Sequence, residues 1–187
     1  IQTSPAQVGG GSGTWWWLYQ PLGFYVGNND LGTKDELKAL CAEADTYGIK
    51  VVVDVVANHL AGDHSNIQND LKDGQYWHNE SGGIDYSNRW QITHRDIGMP
   101  DINSENSYVQ QVVKNYLLEL KSLGVDGIRW DAAKHISLPS ESCNFWPTVT
   151  EGTGLWHYGE ILDDPVANNP TLAESLIQEY SKYISFT

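Results

Sequence analysis

Three features of this sequence predict an α/β fold built on parallel strands. Apolar runs without alternation, of which Ile49 to Val56 is the longest, read as strands buried on both faces. Amphipathic helical patterns separate these runs. Three of the runs finish in polar residues able to do chemistry: Asn58 and His59 after the first, Asp131 at the end of the second, Glu160 at the end of the third. Such residues at several strand ends place a site at the C-terminal face of a parallel barrel.

The elements follow in order. Ile1-Gln2-Thr3-Ser4-Pro5 reads as the end of a strand. A Gly-rich stretch then leads to Trp15-Trp16-Trp17. In a strand, neighbours point oppositely, so at least one of these rings is exposed. Thr33-Lys34-Asp35-Glu36 reads as a capping box. Leu37, Leu40, Cys41 and Ala44 follow at helical spacing, and Gly48 stops the helix. After the Ile49–Val56 strand, residues 60–103 show little periodicity and much Gly, Asn, Asp and Ser. An irregular insertion of that length in a compact domain is usually functional. Ser104 is the expected cap of a helix whose stripe is Val109, Val112, Val113, Tyr116, Leu117 and Leu120, ended by Gly124. Val125 to Trp130 is the next strand. A loop from Pro139 to Gly154 leads to the strand Leu155–Glu160. Thr171 to Tyr180 reads as a helix, and another strand begins near Tyr183.

Composition narrows the function. The 187 residues can bury a sizeable core, yet a complete eight-stranded barrel takes about 250. A net charge of −13 repels nucleic acid and anionic membranes, so neither is an expected partner. No apolar run reaches the length of a membrane span. The two cysteines, Cys41 and Cys143, cannot be paired from sequence and are read first as free thiols. Eight tryptophans and ten tyrosines are many for this length. Flat aromatic faces stack on sugar rings, which favours a carbohydrate ligand.

Period-2 alternation sends Arg129 and Asp131 to one side of their strand. A cation beside a carboxylate favours the ionised form, which can act as a nucleophile. Taken alone, the pair reads first as a buried structural ion pair. Asp54 alone reads as a strand-end carboxylate bonded to backbone, and Pro100-Asp101 as a simple turn.

Five segments in order resemble the motifs of the α-amylase family of glycoside hydrolases. They are Trp15-Trp16-Trp17-Leu18-Tyr19-Gln20-Pro21, Asp54-Val55-Val56-Ala57-Asn58-His59, Met99-Pro100-Asp101-Ile102-Asn103, Gly127 through His135, and Gly159-Glu160. The resemblance implies a partial (β/α)8 TIM barrel with a small B domain inserted after the third barrel strand. The expected partition is 1–59 in the barrel, 60–103 in the insertion and 104–187 in the barrel again. It implies a secreted enzyme, monomeric as a whole, that cleaves internal α-1,4-glucosidic bonds of starch or related glucans with retention.

Residue by residue, the resemblance makes Asp131 the nucleophile and Glu160 the general acid/base, with Arg129 orienting Asp131. Asp54 supports the site. Trp15 and Trp16 form an outer stacking platform, Tyr19 stacks on the sugar at the cleavage point, and Gln20 bonds a hydroxyl beside it. His59 contacts that sugar, and Lys134 and His135 border the leaving-group side. The side chains of Asn58 and Asp101 and the carbonyl of His135 are the implied calcium ligands, with a further carbonyl near Gln91 to Thr93. These are the hard oxygens that calcium takes. Whether chloride takes part is open.

The family's fourth motif, His-Asp, has no counterpart before residue 187. The expectation is therefore a fragment with two of three catalytic carboxylates, inactive alone. Two rival functions stand: a glucan transferase of the same family, and an inactive glucan-binding remnant. A metal-dependent hydrolase using Asp54, His59 and His135 is weaker, because no His-x-His pattern supports it.

Overall fold

The structure is a computed structural model that describes residues 1–6, 15–27, 31–161 and 172–186. A parallel sheet forms its centre, with strands β1 (Val52–Val56), β2 (Gly127–Asp131), β3 (Trp156–Gly159) and β4 (Ser185–Phe186) side by side in chain order. The register pairs Asp54 with Arg129, Val56 with Asp131 and Arg129 with Tyr158. All C-terminal strand ends therefore open at one end of the sheet. Ile1 lies along the outer edge of β1. Its amino group donates to the Val52 carbonyl at 2.9 Å, and Asp54 N–H donates back to its carbonyl at 2.7 Å. The predicted opening strand is thus a short segment paired to β1.

Helices α1 (Lys34–Thr46), α3 (Ser107–Ser122), α4 (Phe145–Thr150) and α5 (Glu174–Tyr180) lie in the connections between strands. The capping box at α1 is present: Thr33 Oγ1 accepts from Glu36 N–H, and the Glu36 carboxylate accepts from Thr33 N–H. Leu37, Cys41 and Ala44 are buried as the spacing requires, but Leu40 is exposed. The stripe of α3 is buried throughout. Gly124, at φ +99°, ends the helix in a conformation that side chains disfavour, and a Cβ there would sit 3.0 Å from that of Cys41.

Several sequence expectations are corrected. Asn106, not Ser104, caps α3, because its side chain accepts from Tyr108 and Val109 N–H. Ser104 is buried, and its carbonyl accepts from Gln110 Nε2 at 2.8 Å. The first long strand begins at Val52, since Ile49 still bonds the end of α1 and is exposed. The expected loop before β3 contains α4, whose Phe145 and Trp146 pack edge-to-face on Trp130 of β2. That aromatic contact outweighs the weak helical signal of a six-residue segment containing Pro147. The Trp15–Trp17 run, expected to expose at least one ring, does so within a 3-10 helix, Trp15–Tyr19. The last helix begins at Glu174, and Thr171 lies outside the described residues. Cys41 and Cys143 are both free and buried.

Residues 60–103 are ordered by short pieces: 3-10 turns at Asn69–Leu71 and Gly74–Tyr76, and helix α2 (Arg89–His94). The backbone bridge His59–Asp101 fastens them to the sheet side, and the bridge Trp77–Ile102 ties the insertion to itself. Arg89 adds a bidentate pair with Glu141, at 2.7 and 2.8 Å, and donates to the Lys134 carbonyl.

Ile1, Leu40, Tyr47 and Ile49 form an exposed apolar surface beside β1, with Tyr47 73% and Ile49 59% accessible. Contiguous apolar patches on that scale drive association. The 187-residue chain expressed alone is expected to self-associate at micromolar concentration despite its −13 charge, and Tyr47→Lys with Ile49→Lys is expected to reduce this. Light scattering behind size-exclusion chromatography reads the result; a monomeric unsubstituted chain would contradict it.

Candidate active site

Three carboxylates converge on one guanidinium at the C-terminal end of the sheet. Arg129 Nη1 donates to Asp54 Oδ1 at 2.7 Å and to Asp131 Oδ1 at 2.8 Å. Its Nη2 lies 3.1 Å from Glu160 Oε1. The register explains this, because Asp54 and Arg129 are cross-strand partners and Arg129 and Asp131 are two residues apart on one face. Glu160 follows β3 directly, and its amide bonds the Trp130 carbonyl at 3.0 Å. Gly159 before it leaves no room for a side chain against Ile184 and Ala133.

Ala132 adopts a left-handed conformation, φ 49° and ψ 34°. Such a conformation is costly for a non-glycine residue and recurs at functional sites. Here it aims the Ala132 N–H at Glu160 Oε2, 3.1 Å away. A cleft of about 260 Å³ is lined by Asp131, Glu160, Ala132, Lys134, His135, Tyr86 and Ile97.

Burial pushes Asp131 up to about 6, although Arg129 pulls the other way; Glu160 and Asp54 add repulsion. Arg129 favours the ionised form, as a neighbouring cation should, but desolvation is larger. Burial also lowers His59 and His135 to about 4, so both rings are neutral near pH 7.

The other sequence-selected residues divide. Tyr19 donates its hydroxyl to Asp54 Oδ2 at 2.9 Å, and its carbonyl lies 3.0 Å from His59 Nε2, so both border the carboxylate cluster. Trp15 is 70% exposed and meets Tyr19 edge-on at 5.8 Å. Trp16 stacks on Trp17 instead, at 4.6 Å. Gln20 is buried. Lys134 is buried with its ammonium over the Tyr86 ring, 5.2 Å from the centroid. His135 donates from Nδ1 to the Ile92 carbonyl at 2.8 Å. Sequence reading missed Tyr86 and Ile97, which sit in the irregular insertion without a motif, and the turn at Ala132.

The implied calcium ligands can be tested against the local chemistry. Asn58 and Asp101 are adjacent, because Ile102 N–H donates to the Asn58 carbonyl at 2.9 Å and His59 bridges Asp101. Both are buried, and the Asn58 side chain lies against the Asp101 carboxylate. Burial pushes the Asp101 carboxyl up to about 7 even with His78 bonded to its Oδ2. A buried carboxylate in that position is relieved by a cation, and the neighbouring donors are hard oxygens. The Asn58 amide oxygen and the Asp101 carboxylate are of the donor type calcium takes, while one Asp101 oxygen is held by His78.

Comparison with known proteins decides the family. The family profile for the α-amylase catalytic domain matches residues 19–184. The chain belongs to the α-amylase family. An α-amylase of Clostridium acetobutylicum is 37% identical over 98% of this chain and 27% of its own length. An α-amylase of Butyrivibrio fibrisolvens is 32% identical over the whole chain and 22% of its own length. The chain therefore spans about a quarter of these relatives. Among solved structures, an α-amylase from Malbranchea cinnamomea superposes with a TM-score of 0.77 at 23% identity, covering 97% of this chain and 38% of that one. An α-amylase from Geobacillus thermoleovorans complexed with acarbose superposes with a TM-score of 0.71 at 23% identity, covering 92% and 38%. The four parallel strands are part of the α-amylase barrel fold. Among the described residues no helix is long and apolar enough to cross a membrane.

Proposed function

We propose that the protein carrying this chain is a secreted, retaining endo-hydrolase of α-1,4-glucosidic bonds in starch-like glucans. The observation that carries this reading is the single Arg129 guanidinium bonded to both Asp131 and Glu160 beside one cleft. Two carboxylates resting on one guanidinium suit the roughly 5–5.5 Å spacing of a retaining pair, rather than the wider gap that admits a water. Asp131 attacks the anomeric carbon as Glu160 gives its proton to the departing glycosidic oxygen. Glu160 then takes a proton from water, which displaces Asp131 from the sugar. Arg129 holds both carboxylates in place, and Asp54 and Tyr19 hold Arg129 from behind. His59 and Tyr19 face the sugar at the cleavage point, and Trp15 extends the aromatic surface. Lys134 and His135 border the leaving-group side. The partition 1–59, 60–103 and 104–187 into barrel, insertion and barrel belongs to the same reading.

The test is the anomeric form of the first product, followed by NMR during hydrolysis of a maltooligosaccharide. Retention is expected; immediate inversion overturns the assignment. Adding maltose as acceptor separates hydrolysis from transfer, which matters because a γ-cyclodextrin glucanotransferase of Bacillus clarkii superposes as well, with a TM-score of 0.71.

The pH dependence has a definite sign. Asp131 attacks only when ionised, so kcat/KM is expected to fall as pH drops through about 6. That limb belongs to the interacting carboxylates together. The folded value lies above the ordinary 3.8, so protonation of this group favours the folded state, and its contribution to stability grows as activity is lost.

Calcium held by Asn58, Asp101 and the His135 carbonyl would fasten the insertion to the barrel. Binding to the folded state alone adds about 2.7 kcal/mol at a hundredfold excess over Kd. A chelator is expected to lower the melting temperature and excess calcium to restore it. Arg89 and the His59–Asp101 bridge hold the insertion independently, so loss of calcium should loosen it without unfolding the chain. A melting curve indifferent to chelator and calcium would remove the ion from this reading.

A further inference from the structure

We propose that His78, His94 and Glu105 form a binding site for a borderline-soft divalent transition ion, zinc being the probe of choice, separate from the calcium position. The three come from different places in the chain. His78 follows the Gly74–Tyr76 turn, His94 ends α2, and Glu105 precedes the Asn106 cap of α3. One ligand atom of each lies within 4.8 Å of the others. A tetrahedral ion about 2.0–2.1 Å from each would set them roughly 3.4 Å apart, which opens the 2.6 Å His78 Nε2–Glu105 Oε2 contact and displaces the proton held there.

The rings are already oriented as metal-bound histidines are. Such a histidine presents one ring nitrogen to the ion and anchors the other on a carboxylate or a backbone carbonyl. His78 does the first: its Nδ1 lies 2.5 Å from Asp101 Oδ2, while its Nε2 faces Glu105 Oε2 at 2.6 Å. His94 does the second: its Nδ1 lies 3.0 Å from the Trp90 carbonyl and 2.8 Å from Thr93 Oγ1, leaving Nε2 for an ion. The two rings lie with centroids 4.5 Å apart, and Trp90 stacks on the outer face of the pair through His94, at 4.8 Å.

An independent observation points the same way. Glu105 Oε1 is buried without a hydrogen bond of normal geometry, although the Ser137 side chain and the Glu105 backbone also lie against this carboxylate. A simple His78 bridge between two carboxylates uses only Oε2 and leaves that oxygen underbonded, which is costly. An ion at the cluster takes a carboxylate oxygen and restores its balance.

Two imidazoles and one carboxylate are zinc chemistry rather than calcium chemistry, since calcium selects hard oxygens. Three protein ligands leave a fourth position for water. The site would pin two parts of the insertion to the entry of α3. It shares Asp101 with the calcium position only through Oδ2, which orients His78.

The experiment uses the full-length protein, saturated with millimolar calcium and stripped of other metals. Isothermal titration with zinc chloride should show one tight site per chain that calcium does not displace, with a raised melting temperature. His94→Gln and Glu105→Gln should each weaken zinc binding by about a hundredfold, with calcium-dependent stabilisation intact. Should either variant misfold by circular dichroism, cobalt titration of the unsubstituted protein decides, because a tetrahedral nitrogen–oxygen site gives a strong visible band and a hydrated ion does not. Absence of saturable zinc binding, displacement by calcium, or variants that bind zinc as tightly as the parent would each overturn the proposal.

Discussion

Asp131→Asn in the full-length protein is expected to abolish turnover of soluble starch, and Glu160→Gln to cut it by about 10²–10⁴-fold. The difference reflects the two roles. Asp131 is the group assigned to form the covalent intermediate, so the amide at 131 removes the first step outright. Glu160 moves protons, and water can replace it poorly. Each factor of ten corresponds to about 1.36 kcal/mol of barrier. The isosteric amides keep the shape of the cleft, so glucan affinity should change by no more than a few-fold.

An aryl α-maltoside with a good leaving group separates the two. Its departure needs little protonation, so Glu160→Gln should regain much of its first-step rate and show a burst of released phenol before slow deglycosylation. Asp131→Asn should show no burst. If Asp131→Asn keeps a tenth or more of the parent kcat, the nucleophile has been misassigned. A burst from Asp131→Asn and none from Glu160→Gln would reverse the two roles.

The parts of this site legible in the sequence are those fixed by periodicity. Alternation alone put Arg129 and Asp131 on one side of β2, and the structure joins them at 2.8 Å. A strand end gave the position of Glu160, whereas Asp54, read as a strand-end carboxylate bonded to backbone, lies in the middle of β1 and accepts from Arg129 and Tyr19. What periodicity cannot give is the cross-strand register, and Arg129 reaches Asp54 and Glu160 only because β1, β2 and β3 align side by side. Nor does it mark Ala132, whose left-handed turn is imposed by its surroundings on a residue with no preference for it. Tyr86 and Ile97 were illegible for a different reason. They sit in residues 60–103, where the chain is shaped by individual side-chain bonds such as Arg89–Glu141 rather than by a repeating pattern. The same holds for α4, which is too short to announce itself and forms because Trp146 is fully buried against Trp130 and Tyr180. At Trp15–Trp17 the expected exposed ring is present, because a 3-10 turn leaves Trp15 exposed.

Arg129→Met is expected to damage both stability and catalysis, and the pH profile distinguishes the two effects. Asp54, Asp131 and Glu160 share this one cation, and their side chains are 17, 13 and 29% exposed. Removing one partner of a buried pair costs up to about 3–5 kcal/mol; this cluster is partly solvated, so the loss should fall toward the lower end. Catalysis should drop by about a hundredfold or more, because a nucleophile displaced by an ångström loses that much. A structural role alone would lower the amount of folded enzyme and leave the acid limb where it was. A positioning and charge role moves the limb. Arg129 is the group that pulls Asp131 down against burial, so without it the limb should rise by about 1–3 pH units. The sign for stability is opposite to that for activity: the variant should be more stable near pH 5 than near pH 8, since protonation of Asp131 then relieves unpaired repulsion. Arg129→Lys keeps the charge but not the fork that reaches three carboxylates. It should hold the limb near the parent position while kcat/KM stays low. An unshifted limb in Arg129→Met, measured on protein shown to be folded, would reduce Arg129 to a structural ion pair.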